Sequence, residues 1–382
     1  MKSADEPKSV YVHVPFCRHR CGYCDFTLVA GRDELVAAYL NALERELDSL
    51  DGSHEIDTLY LGGGTPTHLS VEQLERLFAM LAAKFHFAAH AEVSIEANPV
   101  DLSDPQEGVA KVAALRAAGV NRISLGVQSF DAQILRTLER DHRRDEIHRA
   151  VDAVRQHFEN FSLDLIFGVP GQSLDCWQET LDEALSLAPL HVSTYGLTFE
   201  KGTAFWSRRR KGALVTVPEE TERAMYAAAM DTLTDAGFEQ YELSNFAKPG
   251  RRCRHNEMYW NHQPFWGFGP GAARYIDGER RINHRSVTTW IKRTLAGESA
   301  VGETERLSAE DRARERLVIG LRKTAGIDCR NFERKTGYTP RQLASAAISR
   351  HLETGLLEET ATHLRLTREG RFLADTVIVD CL

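Results

Sequence analysis

Cys17, Cys21 and Cys24 stand within eight residues, in the run YVHVPFCRHRCGYCDF from Tyr11 to Phe26. Spacings of four and three let three thiolates converge from one short loop, and thiolates are the soft ligands that select zinc, copper(I) or iron–sulfur clusters. A structural zinc site takes four ligands, usually as paired Cys-x-x-Cys units. The chain has no second pair, so His13 or His19 would have to complete a zinc site. A four-iron, four-sulfur (4Fe-4S) cluster held by three cysteines leaves one iron without a protein ligand.

The elements that must position this loop follow one pattern. β-rich runs occur at Val10 to Val14, Ile56 to Leu61, Ala91 to Ala97, Arg122 to Val127, Phe161 to Gly168 and His191 to Leu197. Between them lie segments such as VEQLERLFAMLAAKF and SLDCWQETLDEALSL, whose apolar residues recur every three and four positions. Ser70 suits a helix N-cap, and Gly119 suits the position after a helix end. Alternating strand and helix predicts an α/β fold with parallel strands and right-handed crossovers, here a partial (β/α)6 barrel. In such a barrel the chemistry belongs on the loops after the strands' C-terminal ends, where the three cysteines fall.

After about Asn245 the composition changes. FAKPGRRCRHNEMYWNHQPFWGFGPGAARY is rich in Gly, Pro and aromatic residues and reads as irregular structure. Beyond it, helical periodicity and a small hairpin predict a helical, winged-helix-like C-terminal domain. The expected division is a core domain over 8–245 and a C-terminal domain over 246–382.

Composition narrows the function classes. The chain has 382 residues, 42% of them hydrophobic and 27% charged, which suits a folded globular protein. No apolar run approaches the roughly 18 residues of a membrane span, and MKSADEPKSV lacks a signal core, so a cytoplasmic location is expected. An odd count of seven cysteines then favours thiol or metal chemistry over a disulfide framework. Cys176, Cys329 and Cys381 read as simple thiols. The net charge of -8 argues against broad nucleic-acid binding, and the basic runs Arg208 to Lys211 and Arg251 to Arg254 read as solvated faces.

The other strand ends carry further polar residues. GGGTPT, with Gly63, Gly64 and Thr65, follows the second strand, and its glycines let the backbone approach a small ligand. Glu96 stands at the third strand end, Gln128 at the fourth, Arg140 twelve residues later, and Asp164 in the fifth strand. Each alone is equally a turn, a polar cap or a buried ion pair. On successive strand ends of one barrel they describe a site.

CRHRCGYC resembles the C-x3-C-x2-C signature of the radical S-adenosylmethionine (SAM) superfamily, and nearly the whole chain resembles its coproporphyrinogen III oxidase-like branch. The resemblance implies a 4Fe-4S cluster on Cys17, Cys21 and Cys24, whose open iron is chelated by SAM, and reductive cleavage of SAM to methionine and a 5′-deoxyadenosyl radical. It also implies SAM contacts from Tyr11, Gly63 and Glu96, and a second SAM set of Tyr23, Gly64, Thr65, Gln128, Arg140 and Asp164.

Two features divide that branch. Its oxygen-independent oxidases have a longer N-terminal arm and a further cysteine where this chain has Phe26, and here only ten residues precede Tyr11. HNEMYW, His255 to Trp260, resembles the HNxxYW motif of the branch's heme chaperones. His255 is then the expected heme ligand, with Cys253 as an alternative, and Arg251, Arg252 and Arg254 are expected to pair with heme propionates. The expected function is a heme chaperone with SAM and cluster machinery that passes heme to respiratory proteins, peripherally at the inner membrane. A second copy of the chain is a further candidate partner, and nucleic acid is not. Coproporphyrinogen III dehydrogenase, by radical decarboxylation of propionates, is the alternative, and that turnover is not expected. A radical SAM enzyme modifying RNA or protein fits less well, since no nucleic-acid-binding domain is appended.

Overall fold

A computed structural model describes residues 6–382. The six expected strands are β1 (Ser9–Val14), β2 (His54–Gly63), β3 (Phe85–Ala97), β4 (Arg122–Gln128), β5 (Phe161–Phe167) and β6 (His191–Gly196). Each pairs in parallel with the next. The crossovers carry α1 (Val36–Leu47), α2 (Val71–Lys84), α3 (Glu107–Ala117), α4 (Arg144–Arg155) and α5 (Leu174–Ser186), and α6 (Glu219–Asp235) follows β6.

Local chemistry accounts for these elements. Ser70 and Gln73 form a reciprocal capping box that starts α2. Leu74, Leu77, Phe78 and Leu81 then recur on its buried face, each stabilising the fold by roughly 1.5–3 kcal/mol. Gly119 adopts φ +92° just past α3, a conformation that costs glycine little. In β1, Val10, Val12 and Val14 enter the main core, while Tyr11 and His13 point to the barrel interior, where Tyr11 stacks on Tyr60.

The aromatic segment after Asn245, expected to be irregular, contributes to the main sheet. With β7 (Glu239–Gln240), β8 (Asn245–Ala247) and β9 (Trp266–Phe268), the order is β9-β1-β2-β3-β4-β5-β6-β8-β7. β9 runs parallel to β1, whereas β8 is antiparallel to β6 and to β7. Between β8 and β9 lies α7 (Arg254–Trp260), and after β9 come a three-stranded sheet and α8 (Val287–Leu295). Trp266, Phe268, Trp290 and Ile291 all belong to the first core.

A second core gathers residues from Ala313 to Cys381, with Leu243. It is built from α9 (Ala309–Gly320), α10 (Cys329–Thr336), α11 (Pro340–Glu353) and α12 (Ala374–Asp380) against three short antiparallel strands, 327–328, 357–359 and 363–366. The packing units therefore part near residue 308, whereas the change in composition suggests 245/246. The reason is that β9 and α8 bury their large side chains on the barrel.

Candidate functional site

The cysteine loop is tied at both ends. Phe16–Cys17 pairs in parallel with Val29–Ala30, the Cys24 N–H donates to the Cys21 carbonyl at 3.1 Å, and the Gly22 carbonyl accepts from Phe205 N–H at 2.9 Å. Cys17 Sγ lies 3.2 Å from Thr65 Oγ1. Cys21 Sγ lies 3.6 Å from the Glu139 carbonyl and 3.8 Å from Arg140 Nη1. Arg140 Nη2 donates to the Gly126 carbonyl at 2.9 Å, so β4 aims this guanidinium at the loop.

Burial pushes the Cys17 thiol up to about 12 and raises Cys24. A metal centre supplies the positive charge that deprotonates such thiols. Among the described residues, no three His, Cys, Asp or Glu side chains gather as a set for a single ion. A cluster takes each cysteine on a different iron, so its ligands need not meet at a point. His13 is occupied elsewhere: its ring nitrogens meet the Tyr11 hydroxyl at 3.0 Å and the Thr27 carbonyl at 2.6 Å. His19 lies 3.9 Å from Glu139. The donor set fits an iron–sulfur cluster better than zinc.

A cavity of about 830 Å³ opens beside this loop, within the roughly 300–1,000 Å³ usual for small-molecule sites. It is lined by Cys17, Cys21, Cys24, Tyr23, Gly63, Gly64, Thr65, Glu96, Gln128, Arg140 and Asp164. Eleven of the thirteen expected site residues thus share one wall system. Gly63 has φ +109°, and a Cβ there would stand 2.4 Å from the His13 ring. A Cβ on Gly64 would stand 2.7 Å from the Phe16 carbonyl oxygen. Glycine is therefore sterically required at both positions.

Glu96 accepts from the Tyr60 hydroxyl at 2.9 Å and from Gly63 N–H at 3.1 Å. Burial pushes its carboxyl up to about 7, against the pull of the Tyr60 hydrogen bond. Asp164 accepts from Ser124 Oγ at 2.9 Å and from Ser162 Oγ at 3.4 Å, and burial raises its pKa too. Gln128 takes φ +68° where the β4–β5 register shifts, a backbone state uncommon for residues other than glycine.

Tyr11 and His255 are absent from the cavity wall. Tyr11 stands behind Tyr60, with ring centroids 6.3 Å apart. His255 is 1% exposed. Its Nδ1 meets Thr58 Oγ1 at 2.9 Å and its Nε2 meets the Tyr259 hydroxyl at 3.1 Å. To ligate an iron it would have to give up one of these bonds. Glu92 on β3 holds the start of α7, accepting from Arg254 N–H at 2.9 Å, His255 N–H at 3.0 Å and Cys253 Sγ at 3.5 Å. Cys253 is fully buried, and burial pushes its thiol up to about 12. Arg252 pairs with Glu239 and Glu257, and Arg254 donates to the His90 carbonyl. None of Arg251, Arg252 and Arg254 lines the cavity, so the propionate role expected of them has no counterpart there.

Sequence reasoning misses Tyr60, Ser124, Asn256, Arg322 and Arg371, which also line the cavity. Tyr60 carried a usable signal, since it shares a strand face with Gly62 at the glycine turn. Arg322 and Arg371 carried none, lying in ordinary amphipathic sequence.

The Radical SAM superfamily matches residues 11–184, and the HemN C-terminal domain matches residues 307–373. The chain is 38% identical over 375 residues to the heme chaperone HemW of Bacillus subtilis, covering 97% of this chain and 98% of that one. It is 36% identical to the heme chaperone HemW of Mycobacterium tuberculosis, covering 98% and 94%. It is 31% identical to radical S-adenosyl methionine domain-containing protein 1, mitochondrial, of Mus musculus, covering 100% and 88%. Among solved structures, coproporphyrinogen III oxidase (HemN) from Escherichia coli shares the fold, with a TM-score of 0.85 at 24% identity over 98% of this chain and 90% of that one.

Proposed function

The chain belongs to the radical SAM superfamily, and from that membership we propose that it is a heme chaperone, which binds a 4Fe-4S cluster, SAM and heme and delivers heme to respiratory membrane proteins. What carries the proposal is likeness to relatives named heme chaperone HemW over 97% of the chain, including the segment that holds α7.

Cys17, Cys21 and Cys24 would hold the cluster, which when bound supplies an open iron for SAM's amino and carboxylate groups and an electron for its cleavage. The chain's own residues do the rest. Arg140 brings positive charge to Cys21, which steadies a thiolate. Gly63 and Gly64 let the turn pack against the His13 ring and the Phe16 backbone while it lines the cavity. Glu96, fixed by Tyr60 and Gly63, offers its carboxylate to ribose hydroxyls. Among the described residues, no helix is long and apolar enough to cross a membrane.

Phe26 weighs against porphyrinogen decarboxylation. It is 58% exposed at the cavity rim, where the oxidase resemblance expects a further cysteine. The test is an anaerobic assay of coproporphyrinogen III conversion with SAM and a reductant, run beside a heme titration. Heme uptake without conversion supports the chaperone. Conversion at the rate of a genuine oxidase establishes the enzyme instead.

A further inference from the structure

The cavity does not end at the cysteine loop. It runs between β5, α6 and the second packing unit, where Arg322, Arg371, Phe372 and Leu373 line it. Arg322 lies over the Trp260 ring of α7, 4.8 Å from its centroid. Arg371 donates to Gln240 Oε1 at 2.9 Å. Each carries a buried Nε with no hydrogen-bond partner.

Glu222 and Asp375 line the same cavity, and neither forms an ion pair with either guanidinium, while other carboxylates are engaged elsewhere. Glu242 is buried near Arg322; its Oε1 accepts from Ser244 N–H and Asn245 Nδ2, while its Oε2 makes no hydrogen bond. Burial raises the Glu242 pKa and the nearby Arg322 charge opposes that rise, without the two forming an ion pair. Glu358, near Arg371, is bonded to Arg365, and Asp231 is held by Arg368. Two part-buried guanidiniums thus face the cavity without an ion-pair partner among the described residues. A charge in such a setting favours an anionic ligand.

The wall beside them is aromatic. Buried Phe167 backs Tyr226, the two rings stacking with centroids 5.9 Å apart and planes 4° apart, and Phe372 meets Tyr226 edge-on at 5.5 Å with Arg223 over one of its faces. Leu373 adds an apolar side chain that is 50% exposed. Flat apolar surface beside two cations complements a flat apolar macrocycle with carboxylate substituents.

We propose that this end of the cavity is the porphyrin seat, with Tyr226, Phe372 and Leu373 against the macrocycle and Arg322 and Arg371 on its propionates. The assignment rests on the heme-chaperone proposal and gives it a site distinct from His255. Trp260 then serves heme indirectly, as the surface that holds Arg322.

The test titrates the full chain, cluster-loaded without oxygen, with heme and with heme dimethyl ester, whose propionates carry no charge. The wild-type protein should bind heme at least about tenfold more tightly than the ester. In Arg322→Gln/Arg371→Gln, heme should bind about tenfold or more weaker and the preference over the ester should vanish, with iron content and SAM binding unchanged. Equal wild-type affinity for heme and ester overturns the seat, whether or not the double variant folds. A double variant that keeps wild-type affinity and preference overturns it as well. Should the wild-type protein take up neither compound, the heme-chaperone proposal itself falls, whereas heme uptake without discrimination removes the seat alone.

Discussion

His255 stacks on Tyr60 with ring centroids 5.2 Å apart and planes 25° apart. The Tyr60 hydroxyl in turn donates to Glu96. The HNEMYW helix is thereby joined to the candidate SAM site through one ring contact and one hydrogen bond. A neutral imidazole suits this place, since burial, with Arg122 nearby, lowers the His255 pKa to about 3.

Replacing His255 with Gln should therefore change stability with a definite pH dependence. The folded-state pKa lies below the unfolded value of about 6.5, so the neutral form's contribution is present above pH 6.5 and is lost on acidification toward pH 3. Relative to His255→Gln, the wild-type protein should lose stability by about 1.4 kcal/mol per pH unit below 6.5. Urea denaturation at pH 7, 6 and 5 reads this difference. A pH-independent difference would mean that the histidine titrates alike in the folded and unfolded chain, and one of opposite sign would mean that the fold holds it charged.

Glu96→Gln should weaken SAM binding about tenfold to a hundredfold, the range expected for a hydrogen bond to a charged group. Cluster iron should be unaffected, because Glu96 touches Tyr60 and Gly63 and no cysteine. Equilibrium dialysis of the reconstituted protein, with iron analysis of the same sample, separates the two effects.

Gly63→Ala should destabilise the protein by about 1–3 kcal/mol from backbone strain alone, with more from the clash with His13. Thermal unfolding measures the loss. An unchanged midpoint would mean that the glycine turn relaxes freely.

Each of Cys17→Ala, Cys21→Ala and Cys24→Ala should abolish uptake of about four irons per chain under anaerobic reconstitution. Full iron content in any one of them would remove that cysteine from the ligand set. Stoichiometric zinc without iron would remove the cluster altogether.

The barrel and its mouth are legible in the sequence for physical reasons. Strands such as VYVHV must bury one face on helices, so Val10, Val12 and Val14 alternate with Tyr11 and His13, and the loop that follows carries chemistry in compact, recognisable spacing. The edge strand Trp266–Phe268 is not legible, since three residues with a central glycine show no period. Its aromatics announce burial without saying where. HNEMYW is legible as a motif but not as a location: only packing reveals that His255 faces Thr58 and Tyr60 while Asn256 reaches the cavity. Arg322 and Arg371 meet the barrel across long sequence separations, and no local pattern encodes such a meeting.

The most direct measurement is heme transfer. The cluster-loaded protein, charged with heme and incubated anaerobically with SAM and membranes bearing a heme-free respiratory cytochrome, should pass its heme to that acceptor. The acceptor's reduced-minus-oxidised spectrum should grow as the donor's heme absorbance falls, faster than with an equal amount of free heme. Heme that stays on the protein, or an acceptor that fills no faster than from free heme, would contradict the chaperone account.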